Sequence, residues 1–257
     1  MELRVIGCHG GETPKHRTSA FVVDDRLAID AGSLTSGLEL KAQCALEAVL
    51  VSHPHLDHIR DLATIADNRN QSGAAPLPIV GTRQTIAVLR KHFFNDLLWP
   101  DFSKIPSARR PAIRYVSLAP ETPLTVAGYE VNAIPVHHTI DCCAFTVRSD
   151  GASLAYSGDT GPTERLWGVL NETQGLKALL MEVSFPDEQA RLARISGHHT
   201  PQSMARDLKK LRLSLAKELP TLLYHIKPSF QARVERECAR LRGLNLTVCA
   251  IGDHFIL

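Results

Sequence analysis

The sequence predicts an α/β protein in which two mixed β-sheets pack face to face with helices outside, and three observations carry that reading. Short apolar segments alternate with turn signals from Ile113 to Tyr156, among them Ala127-Gly128 and Asp150-Gly151, the pattern of consecutive hairpins. Strand-like and helix-like segments then alternate to the end of the chain. No repeat, low-complexity tract or long linker interrupts the 257 residues, so 1–257 is expected to be a single domain, and a 44% hydrophobic content can fill its core.

The elements follow in order. Leu3 to Gly7 reads as a strand, Asp24-Asp25 as the turn joining strands Ala20 to Val23 and Leu27 to Asp30, and Leu38 to Ala45 as a helix. Ala48 to Val51 is a buried strand, and a helix begins near His58. Pro76 to Gly81 reads as a short strand, Arg83 to Phe94 as an amphipathic helix, and Trp99 to Arg110 as a Pro-rich loop positioned to cover a site. Beyond Tyr156 the pattern gives helix Glu164 to Thr173, strand Ala178 to Val183, helix Pro201 to Leu215, strand Thr221 to Ile226, helix Gln231 to Arg242 and strand Leu246 to Ile251.

Charge excludes some functions. A formal net charge of +2 with scattered basic residues argues against a nucleic-acid scaffold and against a membrane-surface protein. The close pairs Arg109-Arg110 and Lys209-Lys210 are read as solvated surface, with assistance to an anionic substrate as the competing reading. The chain enters its first strand without a basic-then-apolar leader and has no run of membrane-spanning length, so a soluble cytoplasmic protein is expected, with no membrane partner. Cys8, Cys44, Cys142, Cys143, Cys238 and Cys249 show no CxxC spacing and are read as reduced, mostly buried thiols.

The chemistry concentrates in Ser52-His53-Pro54-His55-Leu56-Asp57-His58, where three imidazoles and a carboxylate follow directly on an apolar strand. Such donors suit a borderline metal such as zinc, and on one rigid strand-to-helix turn they need little ordering to bind it. Val136-His137-His138-Thr139, Ser157-Gly158-Asp159-Thr160 and Tyr224-His225-Ile226-Lys227-Pro228 each place another donor at a strand end. A lone His or Asp there is more often structural, but three beside an HxHxDH cluster point to a shared centre. Spacing alone does not choose between His137 and His138.

These ordered motifs, with Asp30 after the second hairpin, resemble those of the metallo-β-lactamase superfamily. Within it the chain looks most like class II cyclic-nucleotide phosphodiesterases. That closer likeness rests on Gly7-Cys8-His9-Gly10-Gly11 with Thr18-Ser19, on the cluster through Ile59, on Leu98-Trp99-Pro100-Asp101-Phe102 and on His225-Ile226-Lys227-Pro228. The resemblance implies a four-layer αββα sandwich with two divalent metal ions at one edge, zinc first, with Mn2+ or Fe2+ as alternatives. It implies that His53, His55 and His138 hold one ion, that Asp57, His58 and His225 hold the other, and that Asp159 bridges them. His138 is preferred because Thr139-Ile140-Asp141-Cys142-Cys143-Ala144-Phe145 matches the stretch that follows the ligand in related enzymes; His137 is then structural or stands behind a ligand. Asp30 is expected to orient a ligand imidazole.

The same resemblance assigns His198 to the phosphate and to protonation of the leaving oxygen, with Glu182 supporting it. The competing reading makes Glu182 a cap and His198 an ordinary loop residue. Thr200, before Pro201, is either near substrate or the N-cap of the next helix. One departure stands out: Asp61 occupies a position where the superfamily usually has Gly; either it only changes how the helix starts, or a carboxylate near the metals lowers anion affinity. The implied activity is hydrolysis of a 3′,5′-cyclic nucleotide (cAMP or cGMP) to a 5′-monophosphate by a hydroxide that the two ions share. Competing readings are a tRNA 3′-processing endoribonuclease, which would need a basic arm not evident here, another ester hydrolase of the same fold, and a non-catalytic metal-stabilised nucleotide sensor. A homodimer is a further expectation from the resemblance. Trp99 to Phe102 either stacks on a base or packs over the core.

Overall fold

The computed structural model describes the backbone of residues 1–257 and all side chains except those of residues 213, 214 and 216. Two seven-stranded sheets form the centre. The first runs His254–Ile256, Glu2–Gly7, Ala20–Val23, Leu27–Ile29, Ala48–Leu50, Leu77–Gly81 and Ile113–Ser117 in spatial order. The second runs Leu246–Val248, Thr221–Tyr224, Leu176–Glu182, Ala152–Tyr156, Cys143–Ser149, Tyr129–Pro135 and Leu124–Val126. In each sheet the hairpin-connected strands pair antiparallel, and the strands joined through helices pair parallel.

Alternation along the strands explains the layering. Leu27, Ile29 and Leu50 join Phe21, Phe145, Tyr156 and Tyr224 in the core between the sheets, whereas Ala28 and Val49 face outward with Leu62, Ile65 and Ile86 of the covering helices. On the second sheet, Ala155 and Leu179 face outward toward Trp167, Leu170, Met204 and Val234. Three apolar layers between four layers of structure make the metallo-β-lactamase fold, an αββα sandwich. Each large side chain fully buried in these layers contributes roughly 1.5–3 kcal/mol.

Several expectations need correction. Ile113–Ser117 does not open the second sheet's hairpins; it pairs parallel with Leu77–Gly81 at the edge of the first sheet, and the hairpins begin at Leu124–Val126. The Pro201 to Leu215 helix is two helices, Pro201–Leu208 and Leu213–Glu218, because the chain turns after Leu208 and buries Leu211 in the outer core. The helix expected over Leu38 to Ala45 forms as Leu40–Ala45, because Leu38 and Glu39 are extended, and a separate helical turn, Leu34–Gly37, precedes it. The helix from Arg83 ends as a π-helical turn, Leu89–Phe93. The final strand, His254–Ile256, has no counterpart in the sequence reading, and it pairs antiparallel with Glu2–Gly7.

The loop after Trp99 packs on the core, with Phe102 buried and Trp99 half-buried. Phe102 lies among the outer residues of the first sheet, and the Trp99 indole N–H donates to the Ala63 carbonyl at 3.1 Å. The six cysteines are free thiols and none but Cys44 is more than marginally exposed. No described helix is long and apolar enough to cross a membrane.

Candidate metal centre

Parallel strands end where their backbone ladders stop, and the loops beyond are free to carry polar side chains. Ala48–Leu50 leads into His53, His55, Asp57 and His58; Ala152–Tyr156 into Asp159; and Thr221–Tyr224 into His225. Tyr129–Pro135 leads into His138.

The side chains converge in two groups. His55 Nδ1 lies 3.0 Å from His53 Nε2 and 3.2 Å from His138 Nε2. His225 Nε2 lies 3.3 Å from His58 Nε2 and 3.3 Å from Asp57 Oδ2. Within each group all the donor atoms lie within 4.8 Å of one another. Asp159 stands between them, its Oδ2 3.2 Å from His225 Nε2, 3.3 Å from His58 Nε2 and 3.7 Å from His53 Nε2.

Hydrogen bonds behind the rings decide which nitrogen faces inward. His58 Nδ1–H donates to Asp30 Oδ2 at 2.7 Å, His225 Nδ1–H to Ser184 Oγ at 2.9 Å, His138 Nδ1–H to the Gly197 carbonyl at 2.9 Å and His53 Nδ1–H to Ser52 Oγ at 3.0 Å. The four Nε2 atoms then face one another and a carboxylate, an arrangement that repels itself unless a metal ion, or at His58 a proton, sits among them. Asp159 Oδ1 is buried and has no hydrogen-bond partner, so it keeps acceptor capacity of its own. Imidazole nitrogens and carboxylate oxygens in this number fit the divalent ions that the fold implies.

The electrostatics follow the same division. Burial pushes His53, His55, His138 and His225 below the ordinary imidazole pKa. Burial also acts downward on His58, but the Asp159 and Asp30 carboxylates on either side more than reverse it and hold His58 well above that value. Burial would raise the Asp159 carboxyl, and the neighbouring His225, His58 and His53 instead hold it well below the usual range.

Asp30 is the centre's buried support. Its Oδ1 accepts from the Ser52 amide at 2.8 Å, while Oδ2 accepts from Ser52 Oγ at 2.8 Å, the Tyr156 hydroxyl at 2.5 Å and His58. Its φ of 57° is a left-handed conformation that Asp tolerates better than most residues. Close backbone approach is needed nearby: a Cβ at Gly32 would lie 2.0 Å from the Asp57 carbonyl, and one at Gly197, φ 68°, would lie 2.9 Å from His138.

A second constellation adjoins the first. Ser184 Oγ accepts from His225 Nδ1–H and, at 3.2 Å, from His198 Nδ1–H, and it donates to Glu182 Oε2 at 2.9 Å. Both lone pairs and the hydroxyl hydrogen are thus used. Glu182 Oε1 accepts from the His199 amide at 2.8 Å and lies 3.4 Å from His198 Nδ1. Burial raises the Glu182 carboxyl to about 7, and it lowers His198. The His198 ring stacks on His225 with centroids 5.2 Å apart, within reach of His138 and Asp159.

Other candidates lie elsewhere. His137 is exposed and not among the convergent donors. Thr200 caps Pro201–Leu208, accepting from the Ser203 amide, with Ser203 Oγ accepting in return from the Thr200 amide. Asp61 precedes the helix Leu62–Gln71 and is not among the convergent donors: its carboxylate accepts from the Thr35 amide at 2.7 Å and hydroxyl at 2.6 Å, which favours the reading that it shapes the helix start. Cys142 and Cys143 are buried, their thiol pKa values pushed well up by burial. Arg110 donates to the Gly73 carbonyl and Lys210 pairs with Glu164 and Asp207, both as surface structure. Sequence reasoning gave no role to Ser184, Ser52 or Tyr156; for the last two, position beside a strand-end donor was the available signal.

Comparison with known proteins shows the family and the fold. The family model described as "Beta-lactamase superfamily domain" matches residues 30–226. A 3′,5′-cyclic-nucleotide phosphodiesterase of Aliivibrio fischeri is 30% identical over 273 residues, spanning 88% of this chain and 81% of its own. A probable 3′,5′-cyclic-nucleotide phosphodiesterase of Yersinia pestis is 27% identical over 278 residues, spanning 90% of this chain and 79% of its own. The crystal structure of unliganded yeast PDE1 superposes with a TM-score of 0.81 at 22% identity, covering 98% of each chain.

Proposed function

The chain belongs to the metallo-β-lactamase superfamily as a metal-dependent hydrolase of its cyclic-nucleotide phosphodiesterase branch, and on that footing we propose that it opens cyclic AMP and cyclic GMP to their 5′-monophosphates. One observation carries the reading: two donor groups meet at Asp159, with the Glu182-backed His198 directly beside them. His53, His55 and His138 would hold one ion, Asp57, His58 and His225 the other, and Asp159 both, with zinc favoured by the imidazole-rich set. When bound, two such ions lower the pKa of a water and neutralise phosphoryl oxygens.

The chain's own residues supply the rest. Asp159 keeps negative charge at the inner wall and can orient an attacking water through its free oxygen. His198, held by Ser184, would give a proton to the departing 3′ oxygen, so that the ring opens to a 5′-monophosphate. Burial opposes the protonated form of His198, Asp159 favours it, and an incoming phosphate anion adds to the favourable side.

The test is turnover of cyclic AMP and cyclic GMP by protein loaded separately with zinc and manganese, with a tRNA precursor run alongside. Metal-dependent release of 5′-monophosphate is expected, and His198→Ala should lower kcat by about 10²–10⁴-fold with the metal content unchanged. Full turnover by that variant would end the acid assignment, and cleavage of the RNA alone would make the protein a nuclease.

A further inference from the structure

Beside His198 lies a cavity of about 370 Å³ whose walls also include Pro162, Thr200, Arg191, Arg194 and Arg206. His198 stands in the cavity wall and also within ligand distance of His138 and Asp159, so the cavity adjoins the metal centre at that ring. Arg191 and Arg194, three residues apart on Ala190–Ile195, share one helix face, and Arg206 comes from Pro201–Leu208.

Among the described residues none of these three guanidiniums is in a salt bridge. Of the carboxylates on the neighbouring elements, Glu188 pairs with Arg233 and Asp207 with Lys210, and Asp187, which accepts from the Gln202 amide, is in no salt bridge with any of the three. Three like charges around one cavity repel one another and bring the fold no stabilising contact in return. They do match a dianion, because guanidinium forks pair with phosphate oxygens.

We infer that this cavity is a subsite for a second phosphate, so that the preferred substrate is a nucleotide carrying a phosphomonoester in addition to the diester that is cleaved. The inference rests on the phosphodiesterase reading and specifies its substrate class. A simple 3′,5′-cyclic nucleotide has one phosphate, which the metals would take, and leaves the three arginines without an anionic partner. The monoester dianion also suits them better than a second diester, which carries a single negative charge.

The test is calorimetric binding of adenosine 2′,5′-bisphosphate, the ring-opened form of a 3′,5′-cyclic nucleotide that carries a 2′ monoester, and of 5′-AMP to the metal-loaded protein; as monoesters both report binding without turnover. The bisphosphate should bind tighter by about tenfold or more, the effect of one or two charge-assisted hydrogen bonds. In Arg191→Gln/Arg194→Gln that ratio should fall to below about threefold, and in wild type it should shrink with added salt. All three arginines are exposed, and circular dichroism checks that the variant folds. Equal affinities in wild type, or an undiminished ratio in the variant, would overturn the subsite. Failure of the phosphodiesterase reading is separately visible, as absent turnover of cyclic AMP and cyclic GMP whatever the bisphosphate does.

Discussion

The first sheet offers its donors from His53 to His58 on a single strand-to-helix turn, whereas the second sheet offers His138, Asp159 and His225 one at a time from separate strand ends. The supports differ in the same way. Asp30, a charged group, anchors His58 and, through Ser52, His53, so one buried carboxylate serves both ends of the turn. On the other wall the anchors are neutral and separate: the Gly197 carbonyl for His138 and Ser184 for His225. His225 itself has a φ of 68°, a conformation held by its surroundings, with its amide donating to the Cys8 carbonyl at 2.7 Å. One wall is therefore preorganised around a single buried carboxylate, the other by separate neutral contacts.

The contrast predicts unequal costs when each support is removed. Asp30→Asn should weaken metal binding by about 10–100-fold, and Ser184→Ala by about tenfold, toward the low end of what loss of a ligand's hydrogen-bond partner costs. Competition with a chromogenic chelator measures both. A larger loss in Ser184→Ala would reverse the comparison and make the second wall the dominant one.

A smaller effect separates the walls by pH. His199, buried on the second wall, sits below its ordinary pKa of 6.5 because burial disfavours its charged form. The folded protein then binds fewer protons there than the unfolded chain does. Stability from this source is present above pH 6.5 and is lost as pH falls through the lower folded value. In metal-free protein, replacement by Gln should flatten the decline of Tm with acid. Parallel Tm profiles for wild type and His199→Gln would show that the ring does not contribute to acid lability.

The two walls also differ in how far the amino-acid sequence reveals them. His53, His55, Asp57 and His58 stand out because their donors are neighbours in the chain and follow an apolar strand. Asp159, His138 and His225 are visible only as strand-end residues, and it was the order of strands in the second sheet that brought them together. Ser184 carries no local signal at all, since its two imidazole partners arrive from distant segments. Arg191 and Arg194 are an ordinary exposed pair until the Arg206 helix faces them across a cavity. Periodicity located most strands but not the break after Leu208, because burial of Leu211 outweighs helical continuity there. Asp61 is left open for a related reason: sequence places it close after the donor cluster, and only the contact with Thr35 shows what its carboxylate bonds.

The smallest expected effect concerns Thr200, which sequence leaves equally readable as a cap or as a substrate contact. Its hydroxyl accepts from the Ser203 amide at 3.4 Å, the returning bond from the Thr200 amide to Ser203 Oγ is 2.8 Å, and Pro201 occupies the first helical position. These contacts close the start of Pro201–Leu208 and so set where Arg206 stands. Thr200→Ala should therefore lower stability by about 1 kcal/mol, the usual worth of an N-cap, with KM for a cyclic nucleotide unchanged. Thermal unfolding and steady-state kinetics on one preparation decide it: a raised KM with an unchanged Tm would place the hydroxyl on substrate, and the second wall would then meet its ligand through a residue that here serves only the fold.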